Sequence, residues 1–571
     1  MRAEQLALFG RTAVHLQPAQ VAQRARLRTQ RAALRCWPQL GQRLLAGPNP
    51  AAALGWPNSF TPLDSIAPQR WPDLAELASG RISLLGMTRN LGEPTQWRHA
   101  DTPQLWRFHL QYWDWAWGLA AETDRAAARA VFARLWQSWQ ASCVLGRGDA
   151  WLPYPTALRA WSLCGLYRDL VAGSDMESEF LRGVANHAGF LRRNLESDLG
   201  GNHLIKDLKA LVGLGTFLAH DQLLEWALRR LTRQLAIQVL PDGGHYERAP
   251  AYHCQVLGDL IDVADLLSAS GRAPSAELCQ AIARMRRWLG TVLAPDGTVP
   301  LLNDGYPLPR ALVAALRPDP APTEPLLTLP DTGLIRATAG GWHLVADVGA
   351  PCPDELPGHA HADTLSCLVY VDGTPLLVDT GTSTYMAGSV RNYERSTAAH
   401  NTVELDGTDS TEVWGAFRAG RRARVHGITA SVANGAVTID AAHDGFRRLP
   451  GRPVHRRRWS LSHAGLQVDD EVTGNGRHTV TVRWHLALAS AVQLRAGEAI
   501  VTTAAGDVIV SVNASCSLQL GVESGLVATG FGATTVTPVL TCRIDAVLPV
   551  CITTRWRRAP GRCGSRFVEA V

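Results

Sequence analysis

The chain has 571 residues, which is too many for a single hydrophobic core, so two or three domains are expected. Its 46% hydrophobic and 19% charged residues are ordinary for a globular protein. A net charge of only +5 over this length argues against a dedicated nucleic-acid-binding protein.

The cysteines and the first residues bear on the compartment. The 11 cysteines are scattered without a Cys-x-x-Cys pair, which argues against a disulfide framework and favours a reducing cytoplasm. The first residues lack the apolar run of a secretory signal, and no apolar stretch approaches the roughly 20 residues that span a bilayer. We expect a cytoplasmic protein without a transmembrane segment; it would be periplasmic if a signal segment preceded this sequence.

The first half of the chain has the hydrophobic spacing of helices. Turn signals such as Pro241-Asp242-Gly243 and Pro295-Asp296-Gly297 separate the helical runs. Helices of this length joined by short loops pack as antiparallel pairs. The spacing predicts helices over 105–119, 126–139, 204–218, 223–239 and 278–292.

The second half alternates β-branched and polar residues, after a proline-rich linker at 318–330. Asp372-Gly373 between two such runs is a strong hairpin signal. The sequence therefore predicts an all-α domain at 1–325, with an N-terminal helical extension, and an antiparallel β-sandwich at 326–571. Strands are expected at 365–371, 375–378, 430–440, 465–472, 479–488, 499–512 and 536–548.

Four residues of the second half form a candidate metal and proton-transfer cluster. His359, His361, Asp379 and His400 supply the nitrogen and oxygen ligands that zinc takes, with one histidine left for proton chemistry. In an Asp372-Gly373 hairpin, Asp379 falls several residues away from His361. The segment that carries His359 and His361 must therefore bend back over the sheet if these residues share a metal.

Two segments of the helical half carry further candidates. Asn202-His203 begins a helix after a Gly-rich turn, where asparagine is also a common helix cap. The segment 242–253 concentrates two tyrosines, two histidines, a glutamate and an arginine. Tyrosine can act as acid or base when a nearby cation lowers its pKa.

Together these motifs resemble the heparinase II/III-like polysaccharide lyases, a group that includes alginate, heparin and heparan sulfate lyases. The resemblance rests on Asn202-His203, on the Pro250–His253 and Gly358–Asp363 segments, on Val378–Thr382 and on His400-Asn401-Thr402, in that order along the chain. It implies an incomplete α/α toroid followed by an antiparallel β-sandwich.

The resemblance also implies β-elimination on a uronic-acid polysaccharide. Asn202, with His203 nearby, would neutralise the uronate carboxylate and stabilise the developing enolate. Tyr252 would act as acid, base or both, with Tyr246 as the alternative tyrosine, and His359 would be the partner base. Further substrate contacts would come from Arg248 or His253.

In the same way, His361, Asp379 and His400 would hold a structural zinc that pins the loop carrying His359. Relatives that lack a secretion signal resemble proteins of exopolysaccharide biosynthesis systems. The expected partner is an anionic uronate polysaccharide rather than nucleic acid, and a homodimer is compatible with the sequence. Two other interpretations stay open: a zinc-dependent glycan hydrolase, and a non-catalytic glycan-binding protein of a polysaccharide assembly system.

Overall fold

A computed structural model describes residues 3–48, 55–66, 71–495 and 497–560. Its first part is helical apart from one short hairpin, β1 (Arg81–Leu84) with β2 (Met87–Asn90). The helices are α1 (Ala3–Ala13), α2 (Pro18–Cys36), α3 (Pro38–Leu45), α4 (Leu63–Ile66), α5 (Leu74–Ala78), α6 (Gln104–Tyr112), α7 (Trp117–Ala121), α8 (Arg125–Ser142), α9 (Pro153–Leu170), α10 (Glu177–Asn194), α11 (Gly201–Phe217), α12 (Asp221–Gln238), α13 (Pro250–Ala269), α14 (Ala276–Val292) and α15 (Arg310–Ala315).

Helix α11 is the central element of the helical domain. It is buried along almost its whole length and packs against α9, α10, α12 and α13. The two lysines of the chain lie on it and form buried ion pairs with α13: Lys206 Nζ is 2.7 Å from Asp259 Oδ1, and Lys209 Nζ is 2.6 Å from Asp262 Oδ2. These contacts fix α11 against α13, and the first turn of α11 carries Asn202 and His203.

The second part is built of antiparallel strands and one helix, α16 (Ser389–Arg395). The strands are β3 (Leu326–Leu329), β4 (Leu334–Ala339), β5 (Trp342–Asp347), β6 (Cys367–Val371), β7 (Thr374–Leu377), β8 (Val403–Leu405), β9 (Val413–Trp414), β10 (Arg418–Ala419), β11 (Val425–Ala433), β12 (Ala436–His443), β13 (Val454–Ser462), β14 (Gly465–Thr473), β15 (Arg477–His485), β16 (Ala491–Arg495), β17 (Glu498–Thr503), β18 (Gly506–Ala514), β19 (Gln519–Gly530), β20 (Ala533–Val547) and β21 (Val550–Arg558).

Three sheets enclose one hydrophobic core in this domain. Eight strands form the largest sheet, in the order β11-β12-β13-β14-β21-β18-β17-β16. The other sheets have the orders β3-β4-β5-β6-β7 and β19-β20-β15-β8, and a bridge between Leu377 and Leu486 joins them. The result is a sandwich, with β9 and β10 as a separate hairpin on α16.

A separate apolar cluster connects the helical domain and the sandwich domain. It packs Trp288 and Val292 of α14 against Leu334, Val345 and other residues of the five-stranded sheet. Because this junction is apolar and buried, the helical domain and the sandwich are held in a fixed relation. Side chains from the two domains can therefore meet at defined distances.

The predicted change from helices to antiparallel strands is confirmed, and it falls between Ala315 and Leu326. The predicted helix at 105–119 is interrupted, because Trp113 adopts a left-handed conformation with φ of 63°. The single strands predicted at 430–440 and 499–512 were wrong, since each run contains a turn and forms two strands. In the first run, Asn434 and Gly435 have positive φ and connect β11 to β12.

The ten cysteines in the described part of the chain are all free. Among the described helices, none is long and apolar enough to cross a bilayer.

Candidate active site

The first turn of α11 depends on two glycines. Gly200 and Gly201 have φ of 70° and 59°, and a Cβ on Gly201 would lie 1.9 Å from a carboxylate oxygen of Glu247. Asn202 therefore lies inside the helix rather than at its cap. Its backbone N–H and its side-chain Nδ2 both donate to Glu247, at 3.0 Å and 3.0–3.2 Å.

Glu247 is a buried carboxylate at the centre of the helical half of the site. Burial opposes its ionisation, but His359, His245 and the Asn202 donors outweigh burial and lower its pKa. His359 Nε2 and His245 Nδ1 each lie 3.7 Å from Glu247 Oε2. Glu247 thus orients Asn202 and faces His359 across the domain junction. The sequence contained it, in the segment 242–253, without indicating this role.

His203 is partly open to solvent, with 37% of its side chain exposed. Its Nδ1 lies 3.0 Å from Glu196 Oε2, and its ring packs against Tyr154 with 4.4 Å between centroids. Burial opposes the charged ring, but Glu196 outweighs burial and raises the pKa of His203. His203 is therefore suited to carry positive charge next to Asn202.

Tyr252 lies one helical turn into α13 and reaches the sandwich domain. Its ring centroid is 3.9 Å from that of His359, and its hydroxyl is 2.5 Å from the hydroxyl of Tyr385. Burial, with Tyr385 and Tyr306 nearby, raises the pKa of Tyr252 well above its ordinary value. The phenol is therefore neutral and can donate a proton. Tyr385, which sequence reasoning missed, also contacts Phe531 and Phe417.

Asp304, in the loop before α15, gathers both histidines of the His-x-His pair. Its Oδ2 lies 2.9 Å from His359 Nδ1, and its Oδ1 lies 2.9 Å from His361 Nε2. Arg391 of α16 donates to both oxygens, at 2.5 Å and 2.9 Å. Burial opposes ionisation, but Arg391 and the histidines hold the pKa of Asp304 well below its usual range. Sequence reasoning missed Asp304 because it stands far from the histidines in the chain.

The three predicted metal ligands lie together in the sandwich domain. The rings of His361 and His400 are 5.3 Å apart, and His400 Nδ1 is 2.9 Å from Asp379 Oδ2. Burial opposes the charged form of His400, but Asp379 outweighs burial and raises the pKa to about 9. Burial lowers the pKa of His361 to about 3. The bend of the 359–364 segment predicted from the hairpin register is therefore present.

Several buried polar atoms of this cluster have no hydrogen-bond partner. They are His361 Nδ1, His400 Nε2 and both carboxylate oxygens of Asp363, which sequence reasoning missed. Two imidazole nitrogens whose opposite ring nitrogens contact carboxylates are the usual donors to zinc. The residues therefore fit zinc in donor chemistry. As placed, however, no three His, Cys, Asp or Glu side chains of the described residues converge to hold a metal ion.

Three other predicted site residues stabilise the structure around the site through hydrogen bonds to main-chain groups. Tyr246 accepts a hydrogen bond from the Gly201 N–H at 2.8 Å, and burial raises its pKa. The Arg248 guanidinium donates to the carbonyl of Ala350 at 3.1 Å, in the sandwich domain. His253 is buried, with its ring nitrogens 3.2 Å from the His245 N–H and 3.1 Å from the Met285 carbonyl. The His253 ring is therefore fully engaged, which leaves it no atom for a substrate.

The fold is that of a toroid-and-sandwich polysaccharide lyase, and the comparisons with known proteins agree. A model of the heparinase II/III N-terminus matches residues 90–317, and a model described as heparinase II/III-like, C-terminal, matches residues 321–553. The chain therefore belongs to the heparinase II/III family of polysaccharide lyases, which are carbon–oxygen lyases.

Individual relatives are more distant. A crystal structure of heparinase III superimposes with a TM-score of 0.74 at 16% identity, covering 91% of this chain and 90% of that chain. Heparan sulfate lyase HepC from Pedobacter heparinus gives 0.60 at 16% identity, over 89% of this chain and 86% of that chain. These likenesses confirm the α/α toroid followed by a β-sandwich. The FtsZ-localized protein C of Caulobacter vibrioides (strain NA1000 / CB15N) is 28% identical over 445 residues, 75% of this chain and 74% of its own length.

We predict that Asp304→Asn strongly destabilises the protein, because it leaves the buried Arg391 charge unpaired. The expected loss in the free energy of unfolding is about 3–5 kcal/mol, measured by chemical denaturation. The double variant with Asp304→Asn and Arg391→Met should lose less free energy of unfolding than the two single variants together, because neither buried charge then remains. Asp319→Asn, at an exposed carboxylate, is the control and should change the stability by less than about 0.5 kcal/mol. An Asp304→Asn variant as stable as the wild type would contradict the prediction.

Proposed function

We propose that this protein cleaves a uronic-acid-containing polysaccharide by β-elimination and leaves an unsaturated uronate at the new end. The observation that carries the proposal is the contact between Tyr252 of the helical domain and His359 of the sandwich, with ring centroids 3.9 Å apart. Asn202 is linked to this pair through Glu247, and His203 follows Asn202 in the same helical turn.

The surroundings of these residues suit separate roles in proton transfer. Because Asp304 accepts the Nδ1 proton of His359, Nε2 is the nitrogen left to take the C5 proton of the uronate. Neutral Tyr252 is suited to donate its proton to the departing C4 oxygen. Protonated His203, with Asn202, would bind the carboxylate and stabilise the enolate that forms when C5 loses its proton.

The substrate class follows from the charge that the site offers. The carboxylate bonded to C5 of a uronate makes the C5 proton acidic. His203, whose positive charge is favoured by Glu196, is placed to neutralise that carboxylate. We place the substrate among the uronate polymers of an exopolysaccharide biosynthesis system, with the protein acting in the cytoplasm. This assignment is tested by analysing the products formed from the polysaccharide whose biosynthesis is encoded by neighbouring genes. Cleavage only of polysaccharides taken up from outside the cell would contradict it.

The activity is tested on a panel of uronate polymers, with the ultraviolet absorbance of the unsaturated end as readout. We expect Tyr252→Phe to reduce kcat by about 10²- to 10⁴-fold, the usual contribution of one proton-transfer group, with a smaller change in KM. Tyr167→Phe is the matched control, because its hydroxyl bonds Glu177 within the helical domain, and it should keep wild-type activity.

Full activity in Tyr252→Phe would remove Tyr252 from the mechanism. Products without ultraviolet absorbance, together with activity abolished by chelation, would instead identify a zinc hydrolase. Binding to the polymers without turnover, unchanged in Tyr252→Phe, would identify a glycan-binding protein.

We also propose that His361 and His400 hold a structural zinc with a carboxylate. The family resemblance implies that this carboxylate is Asp379, while the unpartnered oxygens of Asp363 offer a second one. Bound zinc would pin the loop that carries His359 and would take no part in the elimination. Asp379, which contacts His400 Nδ1, orients that ring in the present arrangement.

Metal content of the purified protein tests this proposal. We expect about one zinc per chain in the wild type and loss of most of it in His361→Ala. Asp363→Asn and Asp379→Asn identify the carboxylate ligand, because a lost ligand lowers zinc occupancy more than a lost orienting group. His343→Ala, at a buried histidine away from the cluster, is the control and should retain zinc. A wild-type protein that binds no zinc after metal addition would contradict the proposal.

A second candidate function depends on localisation with FtsZ, and it is favoured by the 28% identity to the FtsZ-localized protein C. A fluorescent fusion should then colocalise with FtsZ, and Tyr252→Phe should localise like the wild type if position does not depend on catalysis. A diffuse distribution during division would exclude this function without affecting the lyase proposal.

A further inference from the structure

The first 36 residues lie outside both family models, yet helices α1 and α2 contact both domains. We call these two helices and their connecting turn the N-terminal strap, residues 3–36. Helix α1 lies on the sandwich: Arg11 donates to both carboxylate oxygens of Glu412, at 2.9 Å and 3.1 Å. The Trp414 indole N–H also donates to Thr12, at 3.0 Å.

Helix α2 lies on the helical domain. Arg24 Nε is 3.3 Å from Asp198 Oδ2, and Gln23 and Arg26 donate to carbonyls of Leu195 and Arg193. These residues belong to the end of α10 and to the loop that leads into Gly200, Gly201 and Asn202. The strap therefore reaches the loop that positions the first turn of α11.

Gln20, at the start of α2, joins the two domains directly. Its Nε2 donates to the Asp198 carbonyl of the helical domain at 3.3 Å and to the Glu355 carbonyl of the sandwich at 3.4 Å. Its Oε1 accepts the Gln17 N–H, which completes the cap of α2. Asp198 stands four residues before Asn202, and Glu355 stands four residues before His359. One buried amide thus connects the two loops that lead to Asn202 and His359.

The same side of the junction is closed by direct contact. A Cβ on Gly201 would lie 2.9 Å from Leu356 Cδ2, so the same two loops also contact each other directly, without Gln20 between them. A single amide nitrogen lies between the Asp198 and Glu355 carbonyls, so at this point the two loops are too close for a sugar chain to pass between them. His203, by contrast, keeps 37% of its side chain exposed.

We propose that the N-terminal strap closes one end of the junction between the domains and that Gln20 is the positioning residue that fastens it. This closure has a consequence for cleavage, which rests on the proposed function. A polysaccharide chain enters the site by one of its ends. The enzyme would then release short unsaturated products instead of cutting within the chain.

Hydrogen–deuterium exchange on full-length variants tests the fastening independently of activity. Gln20→Glu keeps the oxygen that caps α2 and removes both N–H donations. We expect about tenfold faster exchange in peptides covering 195–203 and 353–361. Gln30→Ala is the matched control, because this glutamine of the same helix donates only to Asn194 of the helical domain and should leave both peptides unchanged. Unchanged exchange in Gln20→Glu would overturn the proposal.

Product length tests the consequence for cleavage. The wild type should release short products from the start while the viscosity of the polymer falls slowly. Gln20→Glu should show a faster fall in viscosity per bond cleaved, and Gln30→Ala should not. Rapid loss of viscosity with the wild type would overturn the closed-end consequence. Failure to cleave any uronate polymer would overturn that consequence together with the lyase proposal, while the exchange result still decides whether Gln20 fastens the strap.

Discussion

The buried pair between Asp304 and Arg391 is the interaction on which the site depends. Asp304 is contributed by the loop between α14 and α15 of the helical domain, whereas Arg391 belongs to a helix inserted in the sandwich. A buried carboxylate is tolerated only with a matching cation and a full set of donors, and here two histidines complete the set. The ion pair therefore fixes the ring orientation of His359, with Nδ1 on Asp304 and Nε2 toward Glu247. The same carboxylate orients His361 in the candidate metal cluster.

A site shared by two domains requires that the domains do not move freely. The apolar cluster around Trp288 supplies rigidity on one side, because its packing leaves little room for rearrangement. Arg248 adds a polar tie near Ala350, and the N-terminal strap adds others. The proposed proton-transfer residues are thus positioned by contacts from three separate parts of the chain.

The two-domain fold was predictable from sequence because hydrophobic periodicity changes from helical to alternating near residue 325. The candidate site was predictable in its residue types, since Asn202, Tyr252 and His359 fall in compact local motifs. Asp304, Tyr385 and Glu247 were not assigned roles, because their importance lies in contacts between distant segments. The turns at Asn434-Gly435 and within 499–512 were missed although the sequence signals them, since Asn434-Gly435 and Gly506-Asp507 are turn residues that interrupt each run. For Arg248 and His253, residue type suggested substrate binding, whereas the structure engages both side chains with main-chain groups.

The buried lysines of α11 have a consequence for the chemistry of the protein surface. The chain contains only these two lysines among 56 basic residues, and their side chains are 10% and 4% exposed. All other basic side chains are guanidinium groups, which do not react with amine-directed reagents. Reagents that acylate amines would therefore modify almost none of the basic side chains, and the guanidinium groups would keep the positive charge of the folded protein.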